Sequence, residues 1–302
     1  MMSIESIGNT YTKSTPTQHL MQFKKSFYGL ITLLFLFNSS SFAQSTDTLA
    51  ETRNPREFCL RSIANSTLKD EARIWSKPFT LKKRDFNYLI PALAATGLVM
   101  YFDKPISKGF RNYNDENRDL NTYNKTITQF GQGCNNLGLA AVFVAGGLIF
   151  KDHRATETGI LSAEALLHSG IVVFVGKTLS GRERPLVEEG NGNFDFLSDP
   201  NAGSSHHSFP SGHTISAWAM ATVIATEYKD VKWVPYTCYT LATAVGVSRI
   251  ALAKHWPSDV LVGSMLGYAI GRMVVKNHQH LWHVTPYYSE KGDAGVSINT
   301  RF

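Results

Sequence analysis

Between Lys177 and Asp259 the sequence places residues suited to holding and transferring a phosphate-like oxyanion. At its centre is Pro210-Ser211-Gly212-His213, where a loop runs into an apolar, helix-length segment. Proline is favoured in the first turn of a helix and glycine allows close backbone approach. Free N–H groups and the positive end of the helix dipole would therefore face an anion there. Around this tetrapeptide stand Lys177 and Arg184-Pro185 upstream, and Ser248-Arg249, His255 and Asp259 downstream. An arginine presents a planar fork of donors and a lysine a compact charge, so Lys177, Arg184 and Arg249 would neutralise phosphoryl oxygens. Ser211 and the N–H of Gly212 would add hydrogen bonds. Two imidazoles, His213 and His255, could flank the phosphorus, one attacking while the other protonates the leaving oxygen. Asp259, four residues after His255, could accept the Nδ1 proton and leave Nε2 free.

The elements that must bring these groups together are visible as apolar runs. From residue 81 onward, helix-length segments alternate with polar loops: 88–102, 137–150, 159–175, 214–226, 233–247 and 259–270. None shows a strict period of two, and Ala, Gly, Ser, Leu and Val dominate them, so the expectation is an all-α, six-helix antiparallel bundle. Helices joined by modest loops would place Lys177, His213, Arg249, His255 and Asp259 at one end. Gly146-Gly147, Gly263 and Gly267 would permit close helix crossings. The polar segment 103–136 reads as a long loop with a further short helix around 119–130. The segment 186–209 reads as a rim or lid of the pocket.

The motifs resemble those of the type 2 phosphatidic acid phosphatase and vanadium haloperoxidase superfamily, K-x6-R-P, P-S-G-H and S-R-x5-H-x3-D. They read here as Lys177 to Pro185, Pro210 to His213 and Ser248 to Asp259, with every fixed position present. The resemblance covers about residues 81–276. It implies metal-free phosphate ester hydrolysis, without a cofactor, through a phosphohistidine on His255 with His213 as general acid. It also implies that Lys177, Arg184, Ser211, Gly212 and Arg249 hold the phosphate. The substrate would be a phosphorylated lipid or a small phosphate ester. A vanadate-dependent haloperoxidase and a non-catalytic phosphate-binding envelope protein are the alternatives.

The rest of the chain sets the context. The 302 residues, 43% of them hydrophobic, allow one good-sized core, which argues against disorder. The first 43 residues hold three lysines and one glutamate, so the formal charge of +6 falls to about +4 beyond them. With no long basic run, nucleic acid is not the expected partner. Lys24-Lys25, the apolar stretch 27–37 and Ser41-Phe42-Ala43 read as an exported leader cleaved before Gln44, with Met21 as the true start; an uncleaved anchor is the alternative. The domain reading is 1–43 extension and signal peptide, 44–80 linker with an amphipathic helix, 81–280 helical bundle, and 281–302 C-terminal tail. In that tail 296–302 alternate as a strand does.

Cys59, Cys134 and Cys238 read as three unrelated cysteines, with a Cys59–Cys134 pair in an oxidising compartment as the alternative. His206 and His207 read as rim residues, and Glu164 with His168 as a hydrogen-bonded pair or polar seam. The charge-free runs are about 13 to 17 residues, short of the roughly 20 that a span needs. An exported leader, an outward-facing site and six full spans also cannot hold together. A membrane-associated domain outside the cytoplasm, in the periplasm or cell envelope, is therefore preferred, with integral insertion as the alternative.

Overall fold

The computed structural model describes residues 71, 72, 74–186, 191–197, 204–279, 283–288 and 294–299. The expected leader, its cleavage site and Cys59 lie outside the described residues. Among them are eight α-helices: α1 (Phe86–Tyr101), α2 (Asp103–Glu116), α3 (Arg118–Ile127), α4 (Gly133–Phe150), α5 (His153–Ser180), α6 (Gly212–Glu227), α7 (Trp233–Ala251) and α8 (Pro257–Gln279). The all-α reading of the bundle holds, and each apolar run lies in or overlaps a helix. The short helix expected around 119–130 falls on α3 and the 3-10 turn Thr128–Gly131, but the rest of 103–136 is not a long loop: it forms α2 and the start of α4. Asn and Asp lower helix propensity locally, but contacts to α7 and α8 override it.

The helix ends explain how loops deliver residues to one place. Asp152 caps α5 by accepting from the N–H groups of Arg154 and Ala155 at 2.9 and 3.1 Å. At the other end Gly181 takes φ +52, a left-handed position that glycine adopts without steric cost. The chain turns there, between Lys177 and Arg184. Helix α8 opens with Pro257, and the Asp259 carboxylate accepts the N–H of Trp256 at 2.9 Å, as the acidic member of a capping box does.

Helix α6 is the central element. One face meets α5 and α8 through Leu161, Ala165, Ile215, Ala219, Val223, Ile270, Val274 and Val275. Its other face meets α7 through Ala217, Ala221, Ala242 and Val245. Glycines set the spacing to α8. A Cβ at Gly267 would stand 2.5 Å from the Ile215 carbonyl oxygen, and one at Gly271 2.6 Å from that of Ala219, so any side chain there would drive the helices apart. Gly147 and Gly159 do the same between α4 and α5, whereas Gly146 faces open space and makes no close crossing.

The C-terminal strand reading agrees with the backbone as far as it is described: β2 (Ala294–Asn299) pairs antiparallel with β1 (His283–Tyr288), Val284 opposite Ile298. Cys134 and Cys238 are free. Glu164 and His168 face a polar seam: His168 Nδ1 lies 2.6 Å from Glu71 Oε1, and the Glu164 carboxylate lies 3.7 Å from His168 Nε2 and 3.4 Å from His278 Nε2.

Candidate active site

The C-terminal end of α5, the N-terminal ends of α6 and α8 and the C-terminal end of α7 meet at one end of the bundle, joined by their loops. The backbone N–H of Ser211 donates to the Asp259 carbonyl at 3.2 Å, so the starts of α6 and α8 are tied together. After α7, Ala253 takes φ +49, and the N–H groups of Lys254 and His255 both donate to the Arg249 carbonyl, at 3.0 and 3.3 Å. This tight turn fixes His255 relative to Arg249 by backbone alone. Gly131 of the 3-10 turn approaches His213 so closely that a Cβ there would stand 2.8 Å from the His213 carbonyl oxygen.

His255 is 1% exposed. Its Nδ1 lies 2.7 Å from the Ser208 carbonyl oxygen and 3.7 Å from Asp259 Oδ2. The expected Asp259 acceptor is thus at ion-pair distance, and a backbone carbonyl takes the closer position. The Asp259 carboxylate is itself held by Ser208 Oγ at 2.5 Å, by the Trp256 N–H and by Arg182 Nη1 at 2.5 Å. Ser208 therefore binds both members, with its hydroxyl to one and its carbonyl to the other. Neither contact of Ser208 is encoded by a motif position.

The cations are poised rather than neutralised. Arg249, 8% exposed, donates from Nη1 to Thr128 Oγ1 at 2.8 Å. Arg184 reaches the His207 carbonyl at 3.4 Å. The Nε–H groups of both arginines are buried without a hydrogen-bond partner, a costly state in a finished interior. Burial lowers the pKa of Arg184, with Asp259 acting the other way. Burial also pushes the His255 imidazole down to about 4 against the pull of Asp259, with Arg249 and Arg184 adding to the push. His213 is pushed down to about 3 by burial, then by the charges of Arg249, His255, Lys177 and Arg184. Each of those groups is thus within electrostatic reach of His213.

Ser211 is fully buried and its hydroxyl pairs with Thr214 Oγ1 at 2.8 Å, so as oriented it faces a helix neighbour. Gly212 is the first residue of α6, where its N–H has no partner within the helix. His206 and His207 are half-buried in the loop leading to the tetrapeptide, where rim residues were expected, with His206 Nε2 4.0 Å from Glu183.

The fold and the site thus define a helical bundle with buried cations gathered at one end, where two imidazoles stand by the starts of α6 and α8. The family model for the PAP2 superfamily matches residues 159–282. Bacillus subtilis phosphatidylglycerophosphatase B is 32% identical over 158 residues, 49% of this chain and 70% of that protein. The chain belongs to the PAP2 superfamily. The lipid A 1-phosphatase of Porphyromonas gingivalis is 42% identical over a shorter stretch of 72 residues, 24% of this chain and 16% of that protein. This chain therefore matches only a small part of that relative's length. The crystal structure of Aquifex aeolicus LpxE aligns with 56% of this chain and 93% of its own, at 25% identity and a TM-score of 0.43.

Proposed function

We propose that this protein hydrolyses the phosphate of a lipid phosphate, as a monoester or pyrophosphate, through a phosphohistidine on His255 and without a metal ion. The observation that carries the reading is the pair of buried, partnerless Nε–H groups on Arg184 and Arg249, within electrostatic reach of Lys177, together with the Gly212 N–H free at the start of α6. A tetrahedral oxyanion would complete all of these donors at once. His255 Nε2 attacks the phosphorus, the bond to the leaving oxygen breaks, and His213 gives that oxygen its proton. Water then attacks the phosphohistidine, His213 takes the water's proton, and the P–N bond breaks to release inorganic phosphate.

The lipid substrate class draws support from the two relatives, named as a lipid A 1-phosphatase and a phosphatidylglycerophosphatase. It also draws support from the surface. Helices α4, α5 and α8 are long and apolar enough to cross a membrane. The apolar window of α4 is only 17% buried in the bundle. Membrane association follows for the bundle, and insertion is the form we propose, reversing the preference for a peripheral domain. The topological conflict raised by an exported leader eases, because α1 has only 16 residues and bends by 60° into α2, so it is not a full span by itself. We place the site outside the cytoplasm.

The test is hydrolysis of p-nitrophenyl phosphate and of lipid phosphates by detergent-purified protein in excess chelator. Activity is expected in the wild type and lost in both His255→Ala and His213→Ala. Activity that needs a divalent ion, or that survives His255→Ala, overturns the mechanism.

A further inference from the structure

Arg182 lies in the variable stretch between Lys177 and Arg184, and no motif position marks it. It is nonetheless among the most constrained side chains near the site, with 3% exposure. Its Nη1 donates to Asp259 Oδ1 at 2.5 Å and to Ser258 Oγ at 2.8 Å, and its Nη2 donates to Asp103 Oδ2 at 2.8 Å. Phe194 and Trp256 present their rings to the guanidinium at 4.9 and 5.6 Å. Asp103, also 3% exposed, accepts the Ser258 N–H at 2.8 Å and its hydroxyl at 2.5 Å. One arginine thus bridges two buried carboxylates, one at the start of α2 and the other beside His255.

We propose that Arg182 and Asp103 act as a positioning pair that holds the Asp259 carboxylate and through it orients the His255 imidazole for attack. The inference rests on His255 being the nucleophile. A buried carboxylate facing an imidazole stabilises the protonated ring, which cannot attack; a guanidinium on its far side offsets that effect. Asp103 in turn limits how much of the Arg182 charge is felt, so the pair trims the field rather than reversing it. The groups that bear on His255 are Asp259 from α8, Arg249 from α7, Arg184 from the loop after α5 and His213 from α6, and Arg182 of that loop reaches it through Asp259. Neither Arg182 nor Asp103 contributes to the proposed phosphate cradle. Their loss should act on kcat more than on KM.

Two variants with opposite charge changes test the pair. Arg182→Gln removes a cation, so His255 should hold its proton to higher pH and the acid limb of kcat/KM should move up. Asp103→Asn removes an anion, and the limb should move down. The kcat of Arg182→Gln should fall by up to about 100-fold, the scale of a small misplacement of a reacting group, with KM within about threefold. A purely structural role would lower activity or melting temperature in both without opposite shifts, and that result overturns the proposal. The same titration is read directly, without turnover, from the 15N shifts of His255 in labelled protein in detergent. Opposite displacements in the two variants support the pair even if the wild type proves inactive, which would overturn the hydrolase reading alone. If Arg182→Gln does not fold, the near-isosteric Asp103→Asn decides, and an unmoved His255 titration overturns the proposal.

Discussion

The Nδ1 atom of His255 lies 2.7 Å from the carbonyl oxygen of Ser208. A carbonyl can only accept, so the ring proton sits on Nδ1 and the lone pair on Nε2 faces away from Ser208. Asp259 Oδ2, 3.7 Å from the same atom, adds charge rather than the close hydrogen bond.

This arrangement predicts a moderate effect of Asp259→Asn. Where a lone carboxylate fixes a catalytic imidazole, its amide variant can lose about 10,000-fold through the wrong tautomer. Here the Ser208 carbonyl keeps the tautomer, so kcat should fall by on the order of 100-fold, well short of the loss in His255→Ala. Steady-state rates of the two variants make the comparison; equal losses would show that Asp259 alone sets the ring.

His213 cannot serve as an acid while its pKa stays near 3, where burial and the surrounding cations push it. A bound dianion would offset those cations and raise it. Sulfate, which does not itself titrate near pH 5, should therefore bind with uptake of up to about one proton. Calorimetry in buffers of different ionisation enthalpy measures the uptake. It should fall in His213→Asn to the part that His255 takes up, since the same cations push that ring down to about 4. No uptake by the wild type would count against His213 as the acid.

Thr128 joins the cradle without belonging to any motif, because its hydroxyl accepts from Arg249 Nη1 at 2.8 Å. Thr128→Val keeps the shape and deletes the acceptor, leaving a buried donor unpaired. We expect KM for a phosphate ester to rise by about 5- to 30-fold, about 1–2 kcal/mol of lost ground-state binding, with kcat little changed. A fall in kcat alone would assign Thr128 to the chemistry instead.

What was legible in the sequence follows from how each interaction is encoded. Lys177, Arg184, His213, Arg249, His255 and Asp259 stand at fixed spacings around helix ends, and helix ends carry readable signals, so their gathering could be expected. The six apolar runs were readable for the same reason, since burial demands apolar side chains. Arg182 and Asp103 were missed because an arginine in a loop and an aspartate before Lys104 look like solvated charges until the fold buries both. Thr128 meets Arg249 across 121 residues, and nothing local marks such a contact. Ser208 acts on His255 through a backbone carbonyl, which every residue type possesses.

Charge-free runs understate helix length, because the helices extend past them into polar ends: α5 runs 28 residues and α8 23. Leu148, Ile149 and Phe150 of α4 are 66%, 73% and 68% exposed, and Leu93 and Leu98 of α1 are 62% and 63% exposed. Each such side chain left in water forgoes roughly 1.5–3 kcal/mol, which favours the lipid covering proposed for this surface. After a carbonate wash the protein should remain in the membrane pellet and be released only by detergent. Val142, near the middle of α4 and 39% exposed, gives the sharper test. Val142→Lys would set a charge at a depth where insertion costs about 2.5–3.5 kcal/mol. The variant should reach the membrane fraction in lower yield than Val142→Leu. Release of the wild type by carbonate, or equal yields of the two variants, would remove α4 from the bilayer.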